Sequence, residues 1–307
     1  MSLREKVQAT MKSEDTEGAF ELYVTRTPGY LWALFFRALH IHPITVTLLS
    51  IVIGTSCGFF FYFDSLKMNA IGMLLLVWAN WYDCADGQLA RMTNQRTLIG
   101  RILDGAGGEI WFLSIYLGLA FRMYPVYGWW IWPLLCYTGF LCHARQAALA
   151  DYYRNIHLWF LFSGSGNGNE LDRSAPKFAH YRELRWKRGE WFEKCYTLIY
   201  ALYTRGQEWA TPEFQRFFTT ATALYGTQFP DDLRQQFRQK SRPLMKYCNI
   251  LTFDARVGVL FLSLIIGLPL IFPLFEIIVF EPLRLYMRHR HETFCHEFYN
   301  ELNGNGE

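Results

Sequence analysis

The apolar residues of this 307-residue chain fall into long blocks separated by charged stretches, and this segregation constrains its fold most. Hydrophobic residues make up 51% of the chain and charged residues 19%, totals that an evenly mixed soluble protein also shows. Blocks approaching the ~20 residues needed to cross a hydrocarbon core, with polar loops between them, describe a polytopic membrane protein instead. A net charge of +3 without a Lys/Arg tract argues against nucleic acid as a partner. The seven cysteines show neither zinc spacing nor a CxxC pair and read as small apolar fillers.

The first block runs from Val46 to Phe63, the second from Met68 to Tyr82 and the third from Ile99 to Met123. The fourth, Tyr127 to Leu149, carries Trp129, Trp130 and Trp132 where an interfacial belt belongs. The stretch from Cys248 to Phe280 is too long for one span. Pro269 and Pro273 divide it into a hairpin, with one span ending near Leu268 and the next running from Pro273 to Met287. The expected fold class is therefore all-α: a six-transmembrane-helix bundle with an inserted cytoplasmic helical subdomain. Its divisions are 1–45 (interfacial), 46–150 (spans one to four), 151–247 (insertion), 248–288 (spans five and six) and 289–307 (tail). Lys67 and Arg122 are the only basic residues of the presumed outer loops, whereas Arg91, Arg96, Arg101 and the Arg284–His291 cluster lie on the presumed inner side. The positive-inside rule then places both termini in the cytoplasm.

At the N-terminus, Ser2 to Gly18 reads as a charged, weakly amphipathic stretch and not as a signal peptide. The insertion opens on a linker-like run, Ser163 to Asn169. Tyr181, Leu184, Trp191, Cys195, Leu198 and Leu202 then recur at helical spacing. Thr211-Pro212-Glu213 and Pro230-Asp231-Asp232 read as two further helix starts. The aromatic face either packs on itself or covers the inner leaflet and the site.

Chemistry concentrates between the second and third blocks, at Asp83-Cys84-Ala85-Asp86-Gly87-Gln88-Leu89-Ala90-Arg91, followed by Gly100 and Asp104. Asp83 and Asp86 share a helix face, and Asp104 returns to their depth if the two helices pack antiparallel. Three converging carboxylates repel one another unless cations neutralise them. Hard oxygen ligands suit Mg²⁺ or Mn²⁺, with a substrate diphosphate supplying further oxygens. Gly87, Ala90 and Gly100 leave room for a ligand, and Arg91 is placed to meet a phosphate oxygen.

The stretch resembles the CDP-alcohol phosphotransferase (CDP-alcohol phosphatidyltransferase) family, whose signature is D-x2-D-G-x2-A-R-x8-G-x3-D-x3-D. It matches at Asp83, Asp86, Gly87, Ala90, Arg91, Gly100 and Asp104 with every spacing kept. The resemblance implies that Asp83, Asp86 and Asp104 hold metal ions and that Gly87, Ala90, Arg91 and Gly100 line the site for the CDP moiety. It further implies a CDP-linked donor, a lipid or alcohol hydroxyl acceptor, CMP release and a homodimer in a lipid membrane. The last aspartate of the signature, a metal ligand and general base, falls on Gly108, with Glu109 one place late. One residue is about a 100° turn on a regular helix, which points Glu109 away from the metals; local unwinding or a π-bulge at Gly105, Gly107 and Gly108 and the extra methylene of Glu favour its replacing that base, and the other reading is a carboxylate paired with an Arg or His of a neighbouring span.

Several other polar residues have open readings. Asp254 and Arg256 bind a head-group or pair with each other, and His143 and Arg145 meet an anionic substrate or snorkel. His40 and His42 read as interfacial. Head-group transfer to a ceramide-like acceptor, and a catalytically silent membrane scaffold, are the alternative functions that the change at Gly108 raises.

Overall fold

The computed structural model describes residues 13, 15–16, 21–162, 171–187, 189–226 and 228–304, the side chains of 98 and 101 excepted. Ser163 to Asn169, and Ser2 to Gly18 apart from positions 13, 15 and 16, lie outside the described residues. All regular structure among the described residues is helical. The chain divides into two compact units, 1–145 with 253–279 and 146–252 with 280–307. The expected insertion, 151–247, falls within the second unit, which also takes in the C-terminal helix.

The first unit begins with a π-helical turn, Leu22–Arg26, and helices α1 (Thr27–Ala38), α2 (Pro43–Tyr62), α3 (Leu66–Thr93) and α4 (Leu98–Tyr127). Their ends are written locally. Pro43 occupies the first turn of α2, and His42 Nδ1 caps it by accepting from the Ile44 N–H at 3.2 Å. Asn94 stops α3 in a left-handed conformation, and Thr97 caps α4 by accepting from the Gly100 N–H at 3.0 Å. Then come α5 (Ile131–Cys136), a π-helical turn Tyr137–His143, α11 (Phe253–Ile265), α12 (Ile271–Phe275) and a third π-helical turn, Glu276–Phe280.

Small residues bring α2 and α4 together. A Cβ on Gly58 would stand 2.2 Å from the Ser114 carbonyl oxygen, and one on Gly118 would stand 2.1 Å from that of Gly58. Ser114 Oγ donates to the Thr55 carbonyl at 2.6 Å across the same crossing. Apolar helices gain little from hydrophobic burial in lipid, so such backbone approach is what joins them. Phe61, Leu76, Trp111, Ile115 and Leu119 pack around the crossing.

Among the described residues, three helices are long and apolar enough to cross a membrane: Pro43–Tyr62, Ile102–Tyr127 and Asp231–Ile265. They correspond to the first, third and fifth expected spans. The other three expected spans are helical but do not meet that measure. Helix α3 mixes its apolar half with the motif carboxylates, and the fourth and sixth blocks pass through π-helical turns. Exposed side chains such as Val52 (67%), Leu74 (69%) and Val126 (76%) give the unit an apolar exterior suited to lipid.

The second unit contains α6 (Ala144–Phe162), α7 (Ser174–Glu183), α8 (Trp191–Ala210), α9 (Pro212–Tyr225), α10 (Asp231–Ile250) and α13 (Glu281–Gly304). It is built on aromatic packing, with Phe160, Phe214, Phe217, Phe237 and Phe298 buried and the Phe160 and Phe237 rings 3.7 Å apart. The expected stripe from Tyr181 to Leu202 is split, because α7 ends at Glu183 and α8 starts at Trp191. Helix α9 starts at Pro212 as expected, but Thr211 does not cap it. The Thr211 hydroxyl donates back to Gln207 at 2.9 Å, and Glu292 Oε2 accepts the Glu213 N–H at 2.7 Å. A cap supplied from a distant helix leaves no local sequence signature.

Candidate metal and nucleotide site

Helix α3 carries Asp83 and Asp86 one turn apart, and α4 carries Asp104 in its second turn. The cap at Thr97 and the three-residue link 95–97 return the chain sharply enough to bring the carboxylates together. Asp83, Asp86 and Asp104 each offer an oxygen, and these oxygens lie within 4.8 Å of one another. Asp86 is buried, Asp83 half-buried and Asp104 exposed, so the cluster opens on the Asp104 side. Thr47 of α2 stands within hydrogen-bond reach of Asp86, a contact that sequence spacing did not announce. The buried Oδ2 of Asp86 has no hydrogen-bond partner among the described residues, which is costly unless a cation or proton meets it.

Gly87 and Arg91 lie one turn apart, and a Cβ on Gly87 would come within 3.5 Å of Arg91 Nη1. The guanidinium therefore lies back over Gly87 and acts electrostatically on Asp86. Ala90 is half-buried beside Arg91. Gly100 has a local reason to be glycine, since a Cβ there would sit 2.9 Å from the capping Thr97 Oγ1. Cys84 fills space, as its chemistry suggests, with its Cβ 2.9 Å from where a Cβ on Gly29 would stand.

The glycines before Glu109 do not unwind the helix, for α4 runs unbroken from Leu98 to Tyr127. Gly107 serves packing instead, as its Cβ would lie 3.3 Å from Ile51 and 3.8 Å from Asp83 Oδ1. Gly108 faces open space, with nothing within 4 Å of a Cβ placed there. Glu109 is exposed and stands outside the three-aspartate cluster. Arg256 of α11 acts on it electrostatically.

Arg256 in turn forms an ion pair with Glu276 at 3.3 Å, both side chains almost wholly buried. Glu276, an acid inside an apolar block, was the sequence signal for this pair. His143 is buried against Tyr116 and Phe112, and Arg145 is exposed.

The signature residues thus converge on three carboxylates with an arginine beside them, and comparison with known proteins finds a family likeness over part of the chain. Residues 40–158 match the CDP-alcohol phosphatidyltransferase family. The match runs from just before α2 into α6 and contains every motif residue from Asp83 to Asp104. CDP-alcohol phosphatidyltransferases move a phosphate-linked group from a CDP-alcohol in lipid synthesis, and they generally use divalent metal ions. Comparison with curated proteins and with solved structures gives no match.

Proposed function

We propose that this chain is a polytopic membrane transferase that moves a substituted phosphate from a CDP-alcohol to a hydroxyl acceptor, releasing CMP. The observation that carries this reading is the convergence of Asp83, Asp86 and Asp104, one of them with a buried oxygen lacking a partner. Such a donor set fits Mg²⁺ or Mn²⁺ and leaves the remaining coordination to a diphosphate. Asp83, Asp86 and Asp104 would hold a divalent cation, which when bound would neutralise charge on the diphosphate and on the departing CMP.

Arg91, laid over Gly87, supplies a fixed positive charge for a phosphate oxygen, and Gly87, Ala90 and Gly100 keep side-chain bulk away from the nucleotide. The acceptor oxygen attacks the β-phosphorus in line, a new P–O bond forms, and the bond to the α-phosphate oxygen breaks. Glu109, exposed on α4 and one methylene longer than the aspartate of the signature, takes the acceptor's proton through one water. At least one substrate is a lipid that enters sideways, given the apolar exterior of this unit. Six spans with both termini and the site on the cytoplasmic side remain the topology proposed from the charge distribution. Transfer to a ceramide-like hydroxyl is the second reading, favoured by the open space at Gly108 where the family's signature has a carboxylate.

The test is CMP release by purified protein in detergent with Mn²⁺, offering a panel of CDP-linked donors and of glycerolipid, polyol and ceramide acceptors. Wild type is expected to release CMP, Asp86→Asn to lose on the order of 10³-fold in kcat, and Glu109→Gln on the order of 10²-fold. Silence of the wild type with every donor, despite Mn²⁺ binding, would leave a membrane scaffold in place of an enzyme.

A further inference from the structure

Helix α8 is amphipathic with its faces reversed. Toward the rest of the second unit it turns Lys194, Thr197, Ala201, Thr204 and Gln207, all of them buried. Their polar atoms are served there. Lys194 Nζ donates to the Leu184 carbonyl at 2.6 Å, Thr204 Oγ1 accepts from Lys177 Nζ at 2.8 Å, and Gln207 donates to the Ala148 carbonyl. Trp191, Phe192, Ile199, Leu202, Tyr203 and Trp209 are exposed instead, Ile199 by 69% and Trp209 by 73%. At about 100° per residue these six fall within an arc of about 120°, opposite the buried five. A helix facing water carries its apolar stripe toward the core, the reverse of this arrangement. The core of the unit is made without these side chains, from phenylalanines of α6, α9, α10 and α13.

Charge indicates what covers the outward face. Among the described residues from 175 to 209, the exposed Lys and Arg are Arg182, Arg185, Lys187 and Arg205, against one exposed acid, Glu183. The acids of α8 itself, Glu193 and Glu208, are half-buried and meet His180 and Ser174. The Arg205 guanidinium lies over the rings of Phe178 and Trp209, 5.6 and 5.1 Å from their centres, so a positive charge borders the apolar arc. Tryptophan and aliphatic residues rimmed by lysine and arginine suit a helix lying in the boundary layer of an anionic bilayer. The apolar helices of the first unit already bring the chain to a membrane. Lipid is therefore a partner held at high local concentration, whereas a protein partner has to be met.

We propose that α8 lies along an anionic phospholipid surface. Trp191, Ile199, Leu202 and Trp209 seat at the level of the upper acyl chains, and Arg182, Arg185, Lys187 and Arg205 meet the phosphates and negative head-groups. The inference rests on the membrane reading above.

The experiment compares tryptophan emission of the full-length wild type with that of Trp191→Tyr/Trp209→Tyr. Both are reconstituted into vesicles of phosphatidylcholine alone or of an equimolar mixture with phosphatidylglycerol, with and without bromine on the acyl chains. Wild type minus variant isolates the emission of the two replaced rings, and brominated chains quench only rings that reach them. Bromination is expected to lower this difference emission about threefold in anionic vesicles and less than about twofold in neutral ones. Equal quenching in the two lipids would overturn the assignment to anionic phospholipid. Difference emission untouched by bromination would overturn the proposal altogether: open to aqueous acrylamide, the face is in water, and shielded from it, the face is covered by protein such as a second copy. If the double variant does not fold, Trp209→Tyr carries the same comparison. A wild type that does not float with vesicles in a density gradient would instead sink the membrane reading, and this inference with it.

Discussion

In the first unit the buried Asp86 faces two further carboxylates, whereas in the second the half-buried Glu292 faces the backbone N–H that it caps. The same contrast holds across each unit. Most buried polar groups of the second unit have a structural partner: His157 Nδ1 meets Ser241 Oγ at 2.7 Å, and Gln207 donates to the Ala148 carbonyl at 2.9 Å. In the first unit like charges converge and an acid–base pair sits among rings. Polar burial that satisfies itself builds structure, while polar burial that needs something from outside marks a site.

Three substitutions would sharpen or break this comparison. The largest effect is expected at Phe237, fully buried among Phe160, Phe217 and Phe298. Phe237→Ala should destabilise the second unit by about 3–5 kcal/mol, read by thermal unfolding. Mn²⁺ affinity measured below the transition should not change, because no ligand of the proposed cluster lies in that unit. A weakened Mn²⁺ affinity would mean that the aromatic unit shapes the site.

Next in size is an acid-side effect at His291, whose ring stacks on Tyr153 at 3.8 Å. Burial holds this imidazole below its ordinary value of 6.5, partly offset by the adjacent Glu292. The folded chain therefore keeps it neutral while the unfolded chain protonates it. The stability it contributes is complete above pH 6.5 and is lost as pH falls below that value, at up to about 1.4 kcal/mol per pH unit. His291→Phe keeps the stack and should flatten the fall between about pH 6.5 and 5 in denaturant titrations. An unchanged slope would assign that fall to other groups. The smallest effect belongs to Glu292→Ala, which removes the cap of α9 and should cost about 1 kcal/mol with no loss of CMP release.

Much of the site was legible in the chain because its spacing is local. Asp83, Asp86, Gly87, Ala90 and Arg91 occupy about two turns of one helix, and a single capped link returns Asp104 to them. Helix starts at Pro212 and Asp231 were equally readable, since proline and first-turn acids act within a few residues. Of the readings open at Gly105–Gly108, local unwinding did not occur. Glycine permits a break without requiring one, and here Gly107 is needed for contact with Ile51.

By itself the sequence determined a helical chain with membrane-length apolar blocks and a three-aspartate signature, because periodicity, block length and motif spacing act over neighbouring residues. Only the tertiary structure decided that Arg256 pairs with Glu276, that Glu292 caps α9 in place of Thr211, and that Gly58 and Gly118 join α2 to α4. Each of these contacts links residues twenty to eighty positions apart. Nothing local in the chain distinguishes the partner chosen from the others available; packing does.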